Sequence, residues 1–451
     1  MTYQIDLSTL LPKLNIKALN PMQEAALEAS GKSDEIILLS RTGTGKTLAF
    51  LLSILGQLDT ESKSTQALIM VPTRELALQI DEVFRKMATS FKVTLCYGGH
   101  KREIEEQNLI QAPTLIIGTA GRLADHIRRG NIQTDTIKIL VLDEFDKSLE
   151  LGFLEEMEFI IASLSNVEKK ILTSATDAHT LPEFLQLKQP QILNFIPEGE
   201  GDAPKALEIF TLHSPEKDKL NTLFQLLCFA NNRPCIVFCN HRDAVERVAE
   251  SIAEKGIRTV YYHGGMEQRE RESELCMFRN GTSNVLITTD LASRGLDIPG
   301  IRYIIHYHMP ENESVFTHRN GRTARMEDFG TAIMILSGDE VLPSYIDADI
   351  PELTWTGEYD IPLKTQWATL HFSVGKKDKV NKIDIVGFLA QKGGLKKDDI
   401  GLIEVKDYYA FAAVRKNKAG ETLRMIENEK IKNKKVKAGV AVSMVKAGSG
   451  K

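Results

Sequence analysis

The chain is short of several features that would direct its reading elsewhere. In 451 residues no apolar run approaches the ~20 needed to span a membrane, and no basic segment followed by an apolar one opens the N-terminus. Neither a membrane span nor a secretory leader is expected. Cysteine is scarce: Cys96, Cys228, Cys235, Cys239 and Cys276 show no metal-ligand pairing. Cys235 and Cys239 lie within one apolar run, Cys235-Ile236-Val237-Phe238-Cys239, and read as buried thiols. A reducing cytoplasm is the expected compartment. No short repeat or low-complexity tract is evident, so the length implies about three ordinary domains, each able to bury a core.

Charge is modest overall but unevenly spread. Residues 362–451 hold 20 Lys and Arg against 9 Asp and Glu, whereas the rest of the chain holds 36 against 52. Such asymmetry suggests a polyanionic partner for the C-terminal piece, with a solvated lysine-rich tail as the alternative.

What is present begins with Glu35–Leu39, an apolar run ending in Ser40-Arg41-Thr42-Gly43-Thr44-Gly45-Lys46-Thr47 and continuing into Leu48–Leu55. Strand, glycine turn and helix in that order form a phosphate loop. Glycines let backbone N–H groups close around an anion, and the new helix turns its positive end toward it. Lys46 can reach terminal phosphates and the Thr47 hydroxyl can hold magnesium. Ser40 stands where the strict pattern has its first glycine, so the loop alone admits an ordinary Gly-rich turn.

Further strands are expected at Ala67–Val71, Val93–Tyr97, Leu115–Ile117, Ile137–Leu142 and Lys170–Leu172, with helices such as Glu75–Ala88 and Gly121–Arg128 between them. That alternation predicts a parallel sheet covered on both faces, with ligands beyond the carboxyl ends of its strands. Leu140–Leu142 ends in Asp143-Glu144, a pair suited to organising magnesium and deprotonating an attacking water, although such pairs also form plain surface turns. Pro197–Pro204 reads as a linker. The alternation then resumes through Cys235–Cys239, Arg258–Tyr262, Val285–Thr288, Tyr303–His306 and Thr331–Leu336, without a second phosphate loop. Within His318–Arg325, arginines recur every third residue, and one helical turn would set them on a common face. They would suit an ATP γ-phosphate, or form an exposed basic face.

Together these motifs resemble the DEAD-box RNA helicases, across about residues 14–340. Asn20-Pro21-Met22-Gln23 resembles the adenine-reading Q motif, Ser40–Thr47 motif I, and Asp143-Glu144-Phe145-Asp146 the D-E-A-D sequence. Pro72–Ala77, Gly98-Gly99 and Thr119–Arg122 resemble the strand-binding motifs, and Ser174-Ala175-Thr176 the S-A-T. Ile236–Asn240 and His263–Met266 fall in the fourth motif group. Thr288–Asp290 with Arg294–Asp297 resembles motif V, and His318–Arg325 motif VI.

The resemblance implies two tandem RecA-like α/β domains, 1–197 and 205–360, and an ATP-dependent RNA helicase using ATP and Mg2+. It assigns Gln23, Thr42, Gly43, Thr44, Gly45, Lys46, Thr47 and Asp297 to ATP, Thr47 and Asp143 to magnesium, and Glu144 to the general base. Arg322 and Arg325 would reach the γ-phosphate, and Ser174 and Thr176 would couple hydrolysis to strand separation. RNA would meet Thr73, Arg74, Gly99, Thr119, Arg122, Thr289 and Arg294. An ATP-gated RNA clamp or chaperone is the alternative, and Gln23 with Asp146 disfavours a DNA helicase. Ser40, Phe145, Ala120, Ala324 and His308 depart from the family pattern. No aromatic stands where adenine is usually stacked, Tyr3 being the nearest and poorly positioned.

The segment 362–451 reads β-α-β-β-α-β: Thr369–Val374, a helix around Ile385–Leu389, Leu402–Val405, Tyr409–Val414, Ala419–Ile426 and Val436–Val442. That is the order of a small α+β RNA-recognition (RRM-like) sheet. Tyr409 and Phe411 share one face and could stack bases or fill a core. Lys434 and Lys435 belong to a phosphate-seeking run. Asp384–Leu389 and Asp398–Ile403 resemble the C-terminal domain of the DbpA subgroup. That implies a ribosomal RNA hairpin as partner and a role in large-subunit assembly, with pre-ribosomal particles as further partners.

Overall fold

A computed structural model describes the chain except residues 1–2, 41–42, 176–180, 197–206, 291–297, 299, 324–328, 339, 347–348, 356–358 and 446–451. The expected linker at Pro197–Pro204 lies outside the described residues. Contacts divide the chain into two compact units, residues 1–203 and residues 204–293 with 297–451.

The first unit is a seven-stranded parallel sheet of β1 (Glu35–Leu39), β2 (Ala67–Val71), β3 (Val93–Cys96), β4 (Leu115–Thr119), β5 (Ile139–Leu142), β6 (Lys169–Ser174) and β7 (Gln191–Asn194). Their spatial order is β3-β4-β2-β5-β6-β1-β7. Ala67–Val71 and Ile139–Leu142 are buried along their whole length, as the interior of a doubly covered sheet requires. One face packs Leu51, Ile54, Ile69, Ile80 and Phe84, and the other Leu68, Ile116, Leu123, Leu140 and Ile160. Alternate residues of one strand thus serve opposite cores.

The second unit carries six parallel strands, β8 (Leu207–Ser214), β9 (Cys235–Phe238), β10 (Thr259–Tyr262), β11 (Val285–Thr288), β12 (Tyr303–His306) and β13 (Gly330–Ser337), in the order β10-β11-β9-β12-β13-β8. Antiparallel strands β14 (Trp367–Phe372), β15 (Ile400–Val405), β16 (Ala410–Arg415) and β19 (Ala438–Val440) follow, in the order β15-β16-β14-β19. The central pair is β14 and β16, with helices Lys382–Gln391 and Lys416–Met425 in the expected places. A small hairpin, β17 (Lys430–Ile431) and β18 (Lys434–Lys435), precedes β19.

Strands β7, β8 and the hairpin are additions to the sequence reading. Strand β7 is an edge and mostly exposed, so it carries no buried pattern. The hairpin turns at Lys432-Asn433, both at positive φ, inside a lysine run that hid it.

Candidate functional site

Because the first sheet is wholly parallel, the carboxyl ends of its strands share one rim. After β1 the chain turns through Gly43 (φ +86°) and Gly45 (φ +93°) into the helix Lys46–Leu55. Gly45 is also closely approached. A Cβ there would stand 2.5 Å from Gln23 Nε2. Gln23 donates to the Gly45 carbonyl (3.3 Å) and accepts from Asn20 N–H (3.0 Å), while Asn20 Nδ2 donates to the Thr44 carbonyl (2.9 Å). The helix Pro21–Ser30 is therefore capped by residues that also hold the turn. Ser40 Oγ donates to Thr44 Oγ1 (2.8 Å), so the unusual serine adds a tether, and Lys46 Nζ donates to the Ser40 carbonyl. Thr47 occupies the first helical turn; Thr42 lies outside the described residues.

Two strands along, β5 ends in Asp143 and Glu144. Glu144 has φ +50° and immediately precedes the short helix Phe145–Glu150, with no side-chain capping bond. Thr173 joins them: its hydroxyl donates to Asp143 Oδ1 (2.5 Å) and accepts from Glu144 N–H (3.1 Å). Burial, then the Glu144 charge, pushes Asp143 up to about 7, against that hydrogen bond and Lys46. Glu144 Oε2 is buried without a hydrogen-bond partner. Two adjacent buried carboxylates, with Asp143 raised partly by its neighbour's charge, are a donor set that a divalent cation would relieve. Sequence reasoning missed Thr173; its only signal is a hydroxyl directly after the apolar pair Ile171-Leu172. Ser174 is fully buried at the end of β6, and Thr176 lies outside the described residues.

The rest of the rim follows β2, β3 and β4. Thr73 caps the helix Arg74–Lys86 by accepting from Leu76 N–H (3.2 Å). Arg74 pairs with Glu75 (3.0 Å), and its Nη1 lies 3.5 Å from the Gly98 carbonyl. Gly99 takes φ +97°. Thr119 precedes the helix Ala120–Arg128, which carries Arg122. One half of the sheet, β1, β6 and β5, thus presents the anion loop and acids, and the other half, β2, β4 and β3, presents hydroxyls, arginines and a glycine turn.

In the second unit Arg319 is fully buried. It forks onto Asp290 (2.5 and 3.0 Å), donates to the His308 carbonyl (2.8 Å) and Asn240 Oδ1 (2.9 Å), and lies 5.1 Å from the Phe238 ring. The helix Glu313–Asn320 stops there, with Gly321 as its C-cap. The expected helical turn from Arg319 through Arg322 therefore does not form. Arg319 is drawn inward by Asp290, and Arg322 follows in a turn, 3% exposed. Arg325, Arg294 and Asp297 lie outside the described residues, and Thr289 follows β11 directly. His308 gains a physical account: its Nδ1 accepts from Asn240 N–H (3.2 Å), and burial, then the Lys219 charge, lowers its pKa to about 4. A neutral ring there joins the ends of β9 and β12.

Comparison with known proteins agrees with this geometry. Residues 20–184 match the DEAD/DEAH box helicase family, 218–327 the helicase conserved C-terminal domain, and 369–440 the DbpA RNA binding domain. The chain is 33% identical over 436 residues to the ATP-dependent RNA helicase DbpA of Escherichia coli, covering 94% of this chain and 95% of the relative. The chain belongs to the DEAD-box helicase family. The Bacillus subtilis DbpA is 28% identical over 97% of this chain and 98% of its own. Among solved structures, S. cerevisiae Dbp5 bound to RNA and ADP BeF3 superposes with a TM-score of 0.66 at 28% identity, over 73% of this chain and 88% of Dbp5. Two RecA-like domains and a DbpA-type tail are thus the architecture, and the enzyme class is the ATP-dependent RNA helicase.

The structure also places the aromatic residues singled out in the sequence. Tyr3, already poorly positioned in the sequence, packs its ring on Phe91 (5.3 Å) and donates its N–H to the Leu58 carbonyl (2.9 Å), at the end of the helix Lys46–Leu55 opposite the phosphate loop. That helix is about 15 Å long. Tyr409 and Phe411 do share one sheet face, but in this structure that face lies against the helix Gln268–Arg279 of the same unit. Tyr409 donates to Glu272 (2.9 Å), Arg269 lies over its ring (5.6 Å), and Phe411 is 1% exposed. Arg279 reaches Glu404 (3.4 Å), and Asn280 donates to Thr369 (2.8 Å). Ser443 Oγ and Met444 N–H donate to the buried Glu274 (3.0 and 2.6 Å). In this structure packing against that helix, within the same unit, covers these rings. Lys434 and Lys435 remain exposed, Lys434 pairing with Asp378. Among the described residues, no helix is long and apolar enough to cross a membrane.

Proposed function

We propose that this enzyme binds ATP·Mg2+ and locally opens ribosomal RNA structure during large-subunit assembly in the cytoplasm, working on pre-ribosomal particles. Its working domains are 1–197, 205–360 and 362–451. The observation that carries the reading is one continuous chain pairing a complete helicase core with a DbpA-type RNA-binding domain, as in relatives matched nearly end to end.

Gln23 would read adenine while holding the phosphate loop, so base recognition and phosphate grip are mechanically one. Lys46 would turn from Ser40 to the phosphates. Thr47 and Asp143 would hold magnesium, which supplies charge neutralisation at the phosphoryl group when bound. The unpartnered Glu144 oxygen suits a general base for water. Arg322, with Arg325, would complete the site from the second RecA-like domain. Thr73, Arg74, Gly99, Thr119, Arg122, Thr289 and Arg294 would grip one RNA strand by its backbone, sparing sequence. Recognition of the ribosomal hairpin would fall to the third domain, whose lysines Lys434 and Lys435 lie on the exposed hairpin and not on the covered sheet face.

The test is ATPase stimulation and strand separation on ribosomal RNA fragments beside unrelated RNA of equal length. The reading expects preferential stimulation by one ribosomal hairpin. Equal stimulation by both removes the ribosomal assignment, and ATP turnover without strand separation favours the clamp.

A further inference from the structure

Glu105 lies on the helix Arg102–Leu109, 1% exposed, and its carboxylate is filled with donors. Oε1 accepts from Tyr97 N–H (2.9 Å) and lies 2.9 Å from His100 Nε2; Oε2 lies 2.7 Å from His126 Nε2 and 3.2 Å from Arg122 Nη1. Asn131 Nδ2 faces His126 Nδ1 (3.1 Å), so the proton of a neutral His126 sits on Nε2 and points at Glu105. Arg122 Nη2 also donates to the His100 carbonyl (3.4 Å). Burial alone would raise this acid; hydrogen bonds from His100, His126 and Tyr97 N–H, with the Arg122 charge, hold it down at about 2. Cys96 lies close enough to complete a possible metal triad with Glu105 and His126. The Arg122 guanidinium and the His126 Nε2 proton already occupy the carboxylate, so the cluster is built to hold donors in place.

What it holds is informative. Tyr97 and His100 bracket the Gly98-Gly99 turn after β3, and Arg122 and His126 are one turn apart on the helix after β4. We propose that Glu105 is a positioning residue for RNA, clasping the Gly99 turn and Arg122 at fixed spacing so that both meet the strand as one preformed surface. The inference rests on the reading of Arg122 and Gly99 as backbone contacts. A carboxylate suits the role where an amide does not. Four donors converge on two oxygens, and Gln would turn an NH2 group against two of them. Without the clasp Arg122 would keep its charge but lose its direction, and the ordering would have to be done at each binding event.

The experiment compares Glu105→Gln, Arg122→Ala and the double variant in the full chain. It reads the RNA concentration for half-maximal ATPase, kcat at saturating RNA, and the salt dependence of RNA affinity. Glu105→Gln should raise the half-saturating RNA about tenfold with a much smaller change in kcat. The salt slope should flatten by about 0.7, as for one lost phosphate contact, although Arg122 is still present. The double variant should bind RNA no worse than Arg122→Ala alone. Wild-type affinity in Glu105→Gln, or fully additive losses, overturns the positioning role. Unchanged RNA affinity in Arg122→Ala instead overturns the backbone-contact reading beneath it. Should Glu105→Gln fail to fold, Glu105→Asp keeps the charge, withdraws the oxygens and carries the same expectations.

Discussion

At the scale of single residues the ATP half of the first sheet depends on a few buried polar atoms. Glu144 keeps one oxygen without a partner, and a group left unsatisfied in a buried position is expensive unless chemistry uses it. Glu144→Gln should therefore keep ATP affinity and lose turnover by about a hundredfold or more in a steady-state phosphate-release assay; near-normal turnover would remove it as the base. Thr173 is the finer case. Its hydroxyl connects Asp143 with the Glu144 backbone, so Thr173→Val, nearly isosteric, should lower RNA-stimulated kcat by about tenfold. Thr173→Ser should restore most of it. Equal activity in the Val and Ser variants would show that the hydroxyl does nothing for the acids.

At the scale of elements, the helix Gln268–Arg279 serves two masters. It packs against β10 of the second parallel sheet and meets the third domain's sheet through Arg269, Glu272 and Arg279. Glu274 sits at that junction, pushed up to about 7 by burial against hydrogen bonds from Met444 N–H and Ser443 and the charge of Arg258. An acid whose folded pKa exceeds its unfolded value binds more protons when folded. Its presence therefore costs no stability below about pH 4.5, and the cost grows as pH rises through 7. Glu274→Gln should leave the melting temperature near pH 4 unchanged and raise it by a few degrees at pH 8. A uniform shift at both pH values would mean that titration at Glu274 does not govern the junction.

At the scale of the molecule, the proposed function draws on residues from both compact units. If Arg322 completes the ATP site, Arg322→Gln should reduce RNA-stimulated turnover by about a thousandfold, the lower range for an arginine finger. Full stimulation in that variant would separate motif VI from catalysis. Charge reversal at Lys434 and Lys435 tests the tail in the same assay: stimulation by a ribosomal hairpin should weaken several-fold while that by unstructured RNA holds. Equal loss on both RNAs would make the tail a general anchor.

The succession of strands and helices along the chain, the phosphate loop and the acid pair were legible because each rests on local chemistry: apolar runs of strand length, glycines where φ must be positive, and charges at strand ends. Family membership was legible for the same reason, its motifs being short contiguous segments in fixed order. The third domain's β-α-β-β-α-β order likewise followed from alternating periodicities. What surrounds Arg319, Glu105 and Tyr409 could be decided only by tertiary structure. Asp290 turned one arginine of an evenly spaced triplet inward, and two histidines and an arginine from separate elements converged on one glutamate. A helix more than a hundred residues upstream covered a sheet face whose aromatics, read in sequence, could equally have faced RNA. In each case the partner lies far along the chain, and burial, which sets what a charge or ring does, is a property of the assembled layers.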